Sequence, residues 1–273
     1  MVHVPGRKAF SGPALIRLLA RLTDADFPAS EQSLADRLGQ WLVWTDAIAL
    51  SSALGGSPCA GAPRELAPEH AEDALCQRVR TSLSNAIARD ATLMPHRQRT
   101  HARNRLDLAS SDTAPEYAAF RQCYLSLQET MESAIGNLRT LLRGRLAGRE
   151  PALSRLASVD AVMERVLGVR EHNALAAVPG LLASHFERLR NAQLASSGNE
   201  ESNARTETAE DARQNAAPEA NPARAAMHSA DSPTVKDGPW LDVFRKDMQS
   251  VLFAELEIRF QPVEGLRAAL RTC

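Results

Sequence analysis

Residues 115–146 read PEYAAFRQCYLSLQETMESAIGNLRTLLRGRL. Tyr117, Phe120, Tyr124, Leu127, Met131, Ile135, Leu138 and Leu142 follow one another in steps of three and four. That spacing puts all eight on one side of an α-helix and builds a heptad-like, coiled-coil-type seam of roughly four repeats. A seam this long needs another helix to cover it. The stretch predicts the longest helix of the chain, from Pro115 to about Leu146, and with it a helical bundle.

Composition supports an all-α fold. Ala supplies 46 of 273 residues, whereas aromatic residues make up only 4%. Ala and Leu are strong helix formers, and the β-branched and aromatic residues that strands favour are scarce. The net charge is −1, so the chain as a whole has no field that would recruit nucleic acid or anionic lipid. Of its basic residues 29 are Arg and only Lys8, Lys236 and Lys246 are Lys. Cys59, Cys76, Cys123 and Cys273 form no CxxC pair, a usage that suits a reducing cytoplasm. The first ten residues lack the apolar core of a signal peptide, and no window approaches 18 consecutive apolar residues, so no direct membrane insertion is expected.

Further helices are read on both sides of the seam. Leu15, Leu18, Leu19 and Leu22 mark a first helix over about Pro13–Leu22. A second opens at Ser30 and runs to the Gly55-Gly56 break, its apolar stripe collecting Leu34, Leu38, Trp41 and Ile48. This stripe makes Trp41 a core residue and leaves Trp44 to the side. Pro68–Asp90 carries Leu75, Val79, Leu83 and Ile87, with Glu69, Glu72 and Asp73 near its N-terminus, where the helix dipole favours acids. Two more helices are expected near Pro151–Val169 and Glu171–Gln193, the second kinked or divided at Pro179-Gly180.

Beyond residue 194 the character changes. Residues 195–239 contain no Phe, Tyr, Leu or Ile, and eight acids face four bases. Such a stretch buries too little apolar surface to offset its ordering entropy and is expected to be a disordered linker. The chain thus divides into a bundle over residues 11–194, the linker over 195–239, and a C-terminal helical segment over 240–273. A helix of about 20 residues would stop near Pro262, with a short one over Glu264–Leu270. A tether of some 40 residues lets this helix reach a partner or fold back on its own bundle; because the tether exceeds what a bundle connection needs, Trp240, Phe244, Val251 and Leu252, together with Trp44, are candidate partner-binding residues. Trp is a frequent interface anchor.

No chemistry is legible. The seven histidines form no HExxH and have no nearby Cys; no P-loop, dinucleotide fingerprint or GxSxG occurs. Accordingly no catalytic, metal or cofactor-binding residue is assigned. Asp46, Glu164 and Glu171 are the acids that could pair, and helical spacing makes them solvated faces. Arg97, Arg99, Arg103 and Arg105 lie within nine residues and are candidate anion-binding residues. They leave open a nucleic-acid-binding effector as an alternative, and a cryptic hydrolase is a third reading. No aromatic residue is interleaved for base stacking.

The N-terminal stretch SGPALIRLLARLTDADFPASEQSLADRLGQWLVWTDAIALSSAL, together with residues 115–146, resembles a bacterial domain-of-unknown-function family. The resemblance implies genes beside a MotA/TolQ-type proton-channel subunit and an OmpA-like peptidoglycan-binding protein, as in one subtype of the Zorya anti-phage defence systems. It implies a cytoplasmic, non-enzymatic adaptor of a proton-channel-linked membrane complex, with that channel subunit as partner. It brings no catalytic residues with it.

Overall fold

The computed structural model describes residues 13–23, 32–55, 71–95, 116–214 and 239–272. Among them the regular structure is entirely helical: α1 (Ala14–Thr23), α2 (Leu34–Trp41), α3 (Trp44–Gly55), α4 (Ala71–Arg89), α5 (Tyr117–Ala147), α6 (Pro151–Leu175), α7 (Val178–Gln214) and α8 (Pro239–Arg271). The fold is an all-α helical bundle.

The seam of α5 behaves as its spacing predicts. Phe120, Tyr124, Leu127, Met131, Ile135, Leu138, Leu142 and Leu146 are all buried. Their cover comes from within the chain, because α5 lies against α8 on one side and α6 on another, with α4 and α7 completing the ring.

The C-terminal helix takes the second of its two expected places, packed on its own bundle. It is one element of 33 residues with fifteen of them buried, and it touches α1, α4, α5 and α7. Far from being a tethered appendage, α8 is the centre of the bundle. It also runs through Pro262. A proline there removes one backbone donor and costs a few kcal/mol in an isolated helix; burial of Phe260, Val263, Leu266 and Leu270 around the site offsets that loss.

The chain has only seven Phe, three Trp and two Tyr, and five of these rings meet in one knot. Phe244 of α8 stands edge-on to Phe120 of α5 at 5.1 Å and to Phe186 of α7 at 5.0 Å. Phe186 meets Trp240 at 5.2 Å and Tyr117 at 5.6 Å. Edge-to-face pairs at such separations add about 0.5–1.5 kcal/mol each beyond the area they bury.

Several boundaries move. The helix expected from Ser30 to Leu54 is two helices, separated at Leu42-Val43; Leu42 is extended at φ −75°, ψ 111°. Ser33, not Ser30, caps α2, its Oγ accepting the Asp36 N–H at 3.1 Å and donating to Asp36 Oδ2 at 2.7 Å. The break turns the expected stripe: Trp41 is only half-buried and Ile48 is exposed. Between α6 and α7 the division falls at Ala176-Ala177, and Pro179 takes a place in the first turn of α7, where its missing N–H costs nothing.

α7, not α5, is the longest helix, and it continues to Gln214, twenty residues past the boundary set at 194. No proline occurs between Pro179 and Pro218, and the intervening residues are rich in Ala, Glu, Gln and Arg. Helix propensity sustains what apolar content does not. The rest of the expected linker, 215–238, lies outside the described residues.

The central place of α8 sets two expected outcomes. Phe244→Ala, which empties the knot, should lower stability by about 3–5 kcal/mol in denaturant unfolding. Truncation before Pro239 should abolish the cooperative thermal transition; a fragment melting like the full chain would contradict this placement.

Candidate partner-binding surface

The residues singled out from sequence separate into three groups in space. Trp240, Phe244, Val251 and Leu252 are all buried in the bundle's own core. They are held by the chain itself, so the assignment of these four as anchors for a partner is corrected. A long connection is no obstacle to packing at home when the helix would otherwise leave so much apolar surface bare. Arg97, Arg99, Arg103 and Arg105 lie outside the described residues. Trp44 alone faces solvent.

Its setting is a satellite layer on the outside of the bundle. Val162 and Val166 of α6 are buried, yet they stand apart from the main core, in the stretch of α6 that α3 covers. Asp46, Ala49, Leu50 and Ala53 of α3 are partly buried and recur at three- and four-residue steps, the geometry of one helix face. Asp46 accepts from Arg165 Nη2 at 3.0 Å, and the Arg170 guanidinium lies 5.2 Å over the Trp41 ring. These contacts fasten α2 and α3 to α6 by one side only.

The other side of α3 is apolar and bare. Val43 is 62% exposed, Trp44 79%, Ile48 50% and Leu54 59%, accompanied by exposed Ala47, Ser51 and Ser52. Asp46, already committed to Arg165, is the sole charged residue from Val43 to Gly55. Contiguous exposed apolar surface marks an interaction site. Composition carries this signal in part, since the exposed side of WTDAIALSSALG gives water only the hydroxyls of Thr45, Ser51 and Ser52 and no charge.

The polar clusters elsewhere are structural. Glu255, fully buried on α8, accepts from the Tyr124 hydroxyl at 2.6 Å, from Gln128 Nε2 at 3.0 Å and from Arg259 Nε at 2.9 Å. Arg259 reaches on to Glu171 at 3.4 Å, beside a groove of about 690 Å³ between α5 and α6. Glu164 pairs with Arg139 at 3.3 Å and, like Asp160, with Arg143. Hence Asp46, Glu164 and Glu171 each face an arginine, not a second acid. Buried His185 lies 2.9 Å from Asp247 and 2.9 Å from Arg188. Arg has donors only, so His185 Nδ1 accepts and Nε2–H donates to Asp247. Among the described residues no group of His, Cys, Asp and Glu could hold a metal ion, and no helix is long and apolar enough to cross a membrane.

Burial raises four acidic groups above their ordinary range. The Cys123 thiol is pushed up to about 12, by burial and then by its hydrogen bond to Asp90, and the Tyr117 hydroxyl to about 12 by burial. Burial also raises Cys76, and raises Tyr124 further with the help of the Glu255 charge.

The described residues thus form a helical bundle that leaves one largely uncharged helix face exposed. The chain belongs to the family described as Protein of unknown function (DUF3348), whose model matches residues 1–272. No curated protein matches the chain, and no solved structure matches it either.

The raised thiols and phenols fix a pH dependence. Below the unfolded thiol value of about 8.5 both states are protonated and the contribution of these groups is complete. Above it the unfolded chain releases its protons first, so stability should fall as pH rises toward the folded values. Tm should therefore decline steadily between about pH 9 and pH 12, and Cys123→Ala should flatten the early part of that decline; a flat profile would contradict the burial of these groups.

Proposed function

We propose that this protein is a non-enzymatic adaptor that offers the outward face of α3 to a protein partner. The observation that carries this reading is the 79% exposure of Trp44 on a helix face without a charge. Solvent-facing Trp among Val, Ile and Leu is a standing liability unless something covers it, and Trp is the residue whose burial most often dominates binding.

The family resemblance supplies a setting. It points to a cytoplasmic accessory of a proton-channel-linked membrane complex of the Zorya anti-phage type, with a MotA/TolQ-type subunit as the partner that this face would meet. The rigid attachment of α3 to α6 supports an adaptor role, because a preordered helix loses little entropy on binding.

The test is co-expression with that channel subunit. Trp44→Glu should leave Tm within about 2 °C of the wild type, since the side chain supports no core. It should reduce the co-purified channel subunit at least about tenfold. Undiminished co-purification would overturn the reading.

A further inference from the structure

We propose that the groove between α5 and α6 binds a free amino acid with a cationic side chain, held by its carboxylate at Arg259, by its α-ammonium at Gln128 and by its side-chain cation at Glu129 and Glu132.

The floor of the groove is built from two polar atoms that the Glu255 cluster leaves over. Gln128 Nε2 donates to both Glu255 oxygens, at 3.0 and 3.2 Å, and to the Leu175 carbonyl at 3.3 Å. Three acceptors around one nitrogen fix which way the amide is turned, so Oε1 lies on the other side of the group. Arg259 gives Nε to Glu255 and sets Nη1 3.4 Å from Glu171. Among the described residues neither Gln128 Oε1 nor Arg259 Nη2 meets a hydrogen-bond partner. Both residues are only 8% exposed, and both line the groove. They are neighbours, because Gln128 Nε2 and Arg259 Nε reach the same Glu255 oxygen. A buried acceptor beside a buried donor suits the ammonium and the carboxylate carried on one α-carbon, and each contact gains strength from the low local dielectric.

The rim sets the charge of the ligand. Glu129 and Glu132 line the groove one turn apart on α5, and both are exposed. Like charges at this spacing repel. Among the described residues neither pairs with an arginine or lysine, and Glu132 has only His172 beside it, at 3.4 Å. A cation in the groove would meet both carboxylates.

Glycine supplies the room. Gly136 of α5 and Gly168 of α6 lie inside their helices, where glycine is a weaker helix former than alanine. A methyl group built on either would meet nothing within 4 Å, so close packing demands neither. Both line the groove, whose adjoining stretches measure about 690 and 500 Å³, the size of small-molecule sites.

Isothermal titration calorimetry of the full chain with L-arginine and with L-lysine should give one saturable site with Kd of about 1 mM or tighter. Agmatine and cadaverine, the same molecules without the carboxylate, should bind at least about tenfold more weakly, and so should L-glutamate. Gly136→Leu puts a side chain into the groove and a better helix former into α5. It should keep Tm at or above the wild-type value and weaken arginine binding at least about tenfold. Glu132→Gln, at an exposed position, should leave Tm within about 2 °C and weaken arginine binding about threefold or more.

No saturable binding of either amino acid up to about 20 mM overturns the proposal. Undiminished binding by folded Gly136→Leu puts the site elsewhere and overturns it too, and a Gly136→Leu chain that does not fold overturns the open groove itself. Agmatine bound as tightly as arginine removes the carboxylate contact at Arg259. Glutamate bound as tightly as arginine, or Glu132→Gln without effect, removes the acidic rim. Each of these last results overturns the ligand class.

Discussion

The burial of α8 along almost its whole length is the constraint on which the other helices depend. At its N-terminal end Phe244 and Trp240 interlock with Phe120 and Phe186. Arg245, the residue after Phe244, donates from Nε to the Thr92 carbonyl at 3.3 Å and so links α8 to the turn after α4. In the middle, Glu255 gathers donors from α5 and from its own helix. Near its C-terminal end Arg271 bonds Asp73 of α4 at 2.6 Å. Each neighbour of α8 is therefore located by contact with it.

The apolar and polar contacts divide the work. Aromatic and aliphatic burial supplies the driving force, but it tolerates small slides along the helix axis. The Glu255 carboxylate does not. A fully buried charge without its partners costs several kcal/mol, and Tyr124, Gln128 and Arg259 satisfy it together only at one axial register of α8 against α5. The ion-pair group of Arg139, Arg143, Asp160 and Glu164 bridges α5 and α6 in a similar way, nearer solvent and with less at stake.

How much of this is legible in the sequence depends on whether the deciding contact is local. The α5 seam is legible because its period is a property of the residues themselves. So is the all-α class, from Ala and Leu content. The partnering of α8 is not, since its alternating apolar residues look the same on a tethered helix and on a central one. Connection length misleads there: closure entropy grows only logarithmically with length, whereas burying Trp240, Phe244, Val251 and Leu252 stabilises by several kcal/mol in total. The Leu42-Val43 break is hidden because no proline or glycine marks it, and with it the outward turn of Ile48. For Trp44 the informative signal is the lack of a charged face in α3, a property of the whole helix and not of the tryptophan.

A ribosome makes a chain from its N-terminus, and here the central helix follows all the other described helices. Until Pro239–Arg271 has emerged, the faces of α1, α4, α5 and α7 that it covers remain open. For most of its synthesis the nascent chain is thus an open set of helices with its apolar stripes bare, the condition under which chaperones capture emerging chains. A product that ends before Pro239 lacks the element around which the other described helices assemble.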